Sequence, residues 1–108
     1  MIIDHPGPSP MGGKVVVQVR QADGTKVAGA RIMAINHDAW SKQHREWHGT
    51  TDESGDYTWP NMDTGTFGDR YTFSAVLEDG KSGKWAGESS HRIKGDTTVT
   101  LTVTKATD

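Results

Sequence analysis

From Lys14 the chain alternates strictly. Val15, Val17 and Val19 stand opposite Val16, Gln18 and Arg20, and a period of two puts successive side chains on opposite faces of a strand. QADGT, 21–25, is its turn. In AGARIMAIN, Ala30, Ile32 and Ala34 alternate with Arg31, Met33 and Ile35, so both faces are partly apolar and a well-covered strand is expected. HDAWSKQHREW, 37–47, carries helix formers from Ser41 to Glu46 between alternating neighbours. It reads as a connection, with one helical turn as the alternative, running into a strand near Arg45 to Thr51.

Asp52, Glu53, Ser54 and Gly55 then turn the chain, as a hairpin, into an alternating run with Tyr57 and Trp59. Pro60 and Asn61 are expected to close that strand, and MDTGTFGD to be a polar connection. RYTFSAVL restores alternation, with Tyr71, Phe73, Ala75 and Leu77 on one face, and EDGKSG turns again. The segment from Lys84 to Ile93 is a less regular strand. In TTVTLTVTK, Val99, Leu101 and Val103 alternate with threonines of high strand propensity. About seven short strands separated by turn signals, without a long helix, predict an all-β, antiparallel β-sandwich.

Residues 1–13 differ in character. Pro6, Pro8 and Pro10 alternate and Gly12 and Gly13 follow, which favours an extended arm or linker outside the core. The expected organisation is this arm, a β-sandwich domain over 14–105, and a tail over 106–108. At 108 residues the chain supports one core, burying roughly two thirds of the surface of the unfolded form. A formal charge of -2, from 12 basic and 14 acidic residues interspersed, gives no basic stripe of the kind that tracks phosphates, so nucleic acid is not an expected partner. The absence of cysteine excludes disulfides and thiol chemistry and leaves the compartment open. MIIDHPGPSP has no basic n-region and no long apolar stretch, so neither a signal peptide nor membrane insertion is expected. An extracellular or virion-surface setting would follow only if the chain belongs to a larger assembly.

Taken together, VVVQVRQADGTKVAGARIMAIN, GTTDESGDYTWPNMDTGTFGDRYTFSA and GDTTVTLTVTK resemble the carboxypeptidase-regulatory-like and Cna-B-like domains, which share a transthyretin-like (prealbumin-like) β-sandwich with Ig-like Greek-key topology. The resemblance covers about residues 14 to 105. It implies mostly non-enzymatic work as spacers, stalks, accessory domains or binding modules, and function still has to be argued from sites. Cna-B-like stalks often join a lysine of the first strand to an asparagine near the last. Here the interior of the first strand is valine and the last strand has no asparagine. The hydroxyisourate hydrolases of the same fold end in Tyr-Arg-Gly-Ser, whereas this chain reads TVTKATD.

Three groups of residues carry candidate chemistry. His37, His44 and His48 lie within twelve residues, and neutral imidazole ligates zinc, copper or nickel. A helix would bring His44 and His48 together at i, i+4, while a strand would hold them about 13 Å apart. Arg45 follows His44, so no HExxH motif exists. A solvated polar loop and strand face is the plainer reading. Trp40, Trp47 and Trp85 are candidates for a stacking surface for sugar rings or a protein partner, Trp40 most of all, while Trp59 belongs to the core-facing alternation. Asp52, Ser54 and Asp56 have the alternate oxygen spacing of a calcium loop but lack its glycine register and distant glutamate. A turn explains them better. No nucleophile elbow or glycine-rich phosphate loop is present, so neither enzymatic activity nor a cofactor is expected. The reading is a structural or protein-interaction module, in which the arm contacts a protein neighbour or another copy in a surface, fibre or virion assembly. The alternative is polysaccharide binding through the exposed tryptophans, with metal binding behind both.

Overall fold

The computed structural model describes residues 12–79 and 83–106. Seven strands follow one another: β1 (Gly12–Gln21), β2 (Arg31–Asn36), β3 (Glu46–Thr50), β4 (Asp56–Asp63), β5 (Asp69–Asp79), β6 (Gly83–Ile93) and β7 (Thr97–Lys105). The protein is all-β. One 3-10 turn, Lys42–His44, precedes β3. The expected arm falls outside the described residues up to residue 11, while Gly12 and Gly13 pair with Asp63 and Met62 at the start of β1. Among the described residues no helix is long and apolar enough to cross a membrane.

The strands lie in the order β3-β2-β5-β6-β7-β1-β4, a mixed sheet nearly closed into a barrel. The expected purely antiparallel arrangement is corrected at one place: β1 and β7 are parallel, from Val15↔Thr97 to Gln21↔Val103. Parity explains this. The chain reverses between successive strands, so odd strands run one way and even strands the other. Every other neighbouring pair joins an odd strand to an even one, and only β1 beside β7 joins two odd strands. The same alternation sends the connections 37–45, 64–68 and 94–96, with the start of β1, to one end. The turns 22–30 and 51–55 close the other. These are called below the Trp40 end and the Gly55 end.

The alternating positions form the core as their period requires. Val15, Val17 and Val19 of β1 and Val99, Leu101 and Val103 of β7 are buried with Ile32, Ala34, Tyr71, Phe73 and Ala75. Full burial of each larger aliphatic or aromatic side chain is worth about 1.5–3 kcal/mol. Strands β6 and β7 pair only at Trp85↔Lys105 and Ala86↔Thr104, and then diverge, β6 along β5 and β7 along β1. Close approach of the two is possible because Gly87 has no Cβ, which would collide with the Thr102 carbonyl.

Two local expectations are also corrected. Pro60 and Asn61 do not end β4. Gly13 pairs with Met62 and Val15 with Trp59, so Pro60 and Asn61 together face Lys14 in a bulge. Pro60 is tolerated there because β4 is an edge strand, where a missing N–H breaks no inner ladder. The extra residue resets the alternation, so Trp59 and Met62 are both buried. The 52–55 turn forms as read, but the strands it joins do not pair with each other: β3 pairs with β2 and β4 with β1. They are the two edges of the sheet. Side chains bridge them, Trp59 Nε1 donating to the His48 carbonyl at 3.2 Å and the Tyr57 ring lying over Gly49.

Candidate functional site

At the Gly55 end the polar groups satisfy one another. Asp52 Oδ1 accepts from the Ser54 and Asp56 amides at 2.8 and 3.1 Å, and Asp56 takes Arg20 at 2.8 Å. These oxygens are engaged in the turn, not arranged as a calcium loop. Buried Thr51 accepts from the Ala30 amide at 2.9 Å and donates to the Val27 carbonyl at 2.8 Å.

The Trp40 end is built differently. Strand β2 ends at Asn36, a wholly buried side chain whose Nδ2 donates to Asp69 Oδ2 at 3.0 Å and to the Tyr71 hydroxyl at 3.1 Å. Tyr71 in turn donates to the Asp63 carbonyl at 2.7 Å. Burial first, and then the neighbouring Asp63 and Asp69 charges, push the Tyr71 phenol well above its ordinary value. Next along the chain, Asp38 receives Arg70 through Nη2 at 2.8 Å, Nε at 3.2 Å and the backbone amide at 2.8 Å. This fork holds the Asp38 carboxyl far below the usual carboxylate range and raises the guanidinium.

Asp63 is the centre of this end. Its side chain is 3% exposed, and Oδ2 receives both the Trp40 indole Nε1 at 3.0 Å and His44 Nδ1 at 2.7 Å. A carboxylate only accepts, so Nδ1 is the donor in this pair, on a ring whose side chain is 24% exposed. The Trp40 and His44 rings lie 4.3 Å apart, tilted by 39°. Trp47 sits edge-on to His44 at 5.9 Å and donates to its carbonyl at 2.8 Å. The three-residue 3-10 turn thus clasps His44 between two tryptophans. Trp40 has further interactions besides these. It is nevertheless 51% exposed, and Phe67, in the neighbouring 64–68 connection, is 83% exposed. These are the two exposed large hydrophobic residues among those described, and both lie at this end.

The three candidate tryptophans do not share one surface. Trp40 and Trp47 bracket His44, but Trp47 is partly buried against the core. Trp85, also partly buried, pairs with Lys105 near the start of β6. Eight residues of strand separate it from Ile93, roughly 26 Å along the axis. The histidines do not converge either. His37 Nε2 meets Thr72 at 2.8 Å, His44 meets Asp63, and His48 faces Glu46 at 3.3 Å. His44 lies in the 3-10 turn and His48 in β3, so the two do not take the i, i+4 spacing of a helix. Among the described residues no group of three or more His, Cys, Asp or Glu side chains is placed to hold a metal. Sequence reasoning missed Asp63, Asn36 and Phe67. The available signal was a lone aromatic between polar and glycine residues in TGTFG, flanked by two aspartates.

No protein-family model matches the chain, and no curated protein matches it. Among solved structures, a Pseudomonas aeruginosa protein proposed to bind carbohydrate is similar over 94% of this chain and 99% of its own, with 13% sequence identity and a TM-score of 0.49. At that level the similarity carries no argument about function.

Proposed function

We propose that this protein is a non-catalytic binding module that takes a polysaccharide at its Trp40 end. The observation that carries the reading is Trp40 itself: half-exposed, held at its indole nitrogen by a buried carboxylate, and backed by the His44 ring. An aromatic ring fixed before the ligand arrives offers apolar area at little entropic cost. Sugar rings present C–H faces suited to such a plane and hydroxyls suited to the polar groups around it. The fold is read as the transthyretin-like β-sandwich of carboxypeptidase-regulatory-like and Cna-B-like domains. The thin β6–β7 junction, two residue pairs between a β3-β2-β5-β6 face and a β7-β1-β4 face, supports that reading.

Binding to immobilised polysaccharides, followed by affinity electrophoresis, tests the site. Trp40→Ala is expected to weaken retention by ten-fold or more, about 1.4 kcal/mol or above, and Trp85→Ala to leave it unchanged. Equal effects of the two substitutions would contradict the assignment. A second reading, docking of a protein neighbour or another copy, is favoured by one observation: β1 begins at Gly12, opposite Asp63. Removing residues 1–11 and measuring assembly size by light scattering tests it. An unchanged mass would exclude a role of that segment in assembly.

A further inference from the structure

Although the whole chain is slightly acidic, charge is unevenly placed. Exposed Lys14, Lys42, Arg45, Arg70, Arg92 and Lys94 gather at the Trp40 end, against exposed Asp38, Glu46 and Asp96. Toward the Gly55 end the exposed charges balance, Asp23, Asp52, Glu53 and Glu78 against Lys26, Arg31, Lys84 and Lys105. The cations also sit where the aromatic residues are. Lys42 and Arg45 flank His44 in the segment that presents Trp40. Arg92 and Lys94 pack their side chains against Gly68, the residue after Phe67, and Arg92 Nη1 donates to the Gly68 carbonyl at 2.8 Å.

At the same end of the sheet lies a shallow groove of about 400 Å³, lined by His37, Arg70, Thr72, Ser90, His91 and Arg92 among others. Its floor is a hydroxyl row, Thr72 to Ser90 at 3.0 Å with His37 on Thr72 at 2.8 Å. Of the acids at this end, Asp38 is taken up by Arg70, and Asp63 and Asp69 are buried and receive Trp40, His44 and Asn36. Glu46 faces His48 at 3.3 Å. Asp96 accepts the Lys14 amide at 2.9 Å.

Resting on the carbohydrate reading above, we infer that the ligand is an anionic polysaccharide, one bearing uronate carboxylates, lying from Trp40 along the His37–Arg92 groove. The aromatic plane takes a ring face, the hydroxyl and imidazole groups take sugar hydroxyls, and Lys42, Arg45, Arg92 and Lys94 take the carboxylates. Exposed cations are individually weak and screened beyond roughly 8 Å at physiological salt. A polymer that meets several at once adds their effects. A neutral glycan uses the first two features and leaves the third idle.

Polygalacturonate and its fully methyl-esterified form share a backbone and differ in charge, so they separate the two claims. Isothermal titration at low salt is expected to show polygalacturonate bound about ten-fold more tightly, with the gap closing at roughly 0.5 M NaCl. The double substitution Lys42→Gln, Arg45→Gln is expected to narrow the gap several-fold while binding to the ester persists; thermal unfolding verifies that the variant is folded. Equal affinity for acid and ester would overturn this inference and leave the carbohydrate reading standing. Binding to neither, nor to neutral glucans, would overturn both. A DNA oligonucleotide of equal charge bound as tightly would also overturn it, because the patch would then take any polyanion.

Discussion

At the Gly55 end, Asp52 folds its turn back on itself and Thr51 ties two backbone segments together. At the Trp40 end, the carboxylate of Asp63 is buried to hold a tryptophan and a histidine whose outer parts reach solvent. The difference is one of direction. Polar groups at the first end are spent within the backbone that carries them, so they specify a bend and offer little to a partner. At the second, a buried polar layer of Asn36, Asp63, Asp69 and Tyr71 supports side chains that are displayed. Burying such groups is costly unless every member is satisfied, and here it fixes an aromatic surface.

Substitutions can break this contrast. The largest effect is expected from Asp63→Ala, which removes the acceptor for both Trp40 and His44. A loss of about 3 kcal/mol in urea unfolding, together with loss of ligand binding, is predicted. Gly55→Ala should cost about 2 kcal/mol, because Gly55 has φ of +77° and an added Cβ would lie 2.8 Å from the Val27 amide. Binding should be unaffected. A change in affinity at constant fold would show that the ends are coupled.

Tyr71→Phe should cost about 1 kcal/mol through the lost hydrogen bonds. It should also alter the alkaline limb of stability. The folded protein holds the phenolic proton more tightly than the unfolded chain, whose value is 10.0. Stabilisation is therefore complete below pH 10 and is lost as pH climbs toward the raised folded value. The variant should lack this contribution, which unfolding curves between pH 9 and 11, roughly the range bracketing the phenol's ordinary value, will detect. The smallest effect is expected from Asp38→Asn. The Asp38 carboxyl is lowered from 3.8 by Arg70, so its contribution is present above that pH and lost as pH falls through the folded value. Wild type and variant should converge in acid and differ slightly at neutrality.

Much of the Gly55 end was legible because its signals are local. Asp-Glu-Ser-Gly states a turn whatever surrounds it, and the valine alternation of β1 and β7 states which faces are buried. The pairing of those strands was not legible. Period two gives a strand its faces but not its neighbours, and only the sheet order makes β1 and β7 adjacent and hence parallel. Pro60 misled for a related reason: it breaks inner ladders, but β4 lies at an edge and absorbs it in a bulge. Trp40 was read as the best candidate for an exposed anchor from its polar surroundings, and its ring is half-exposed. Asp63 was not, because its partners lie 19 and 23 residues earlier, and a carboxylate in a polar run looks like surface until the fold buries it.

On the proposed reading, the Trp40 end, and not the rest of the surface, takes the ligand. Amide chemical-shift mapping of the 15N-labelled protein during titration with polygalacturonate oligomers tests it most directly. Shifts should be confined to 37–45, 64–72 and 90–96, with the amides of 22–26 and 52–55 unmoved. Shifts centred on Trp85 or on the 52–55 turn, with the Trp40 end silent, would contradict it.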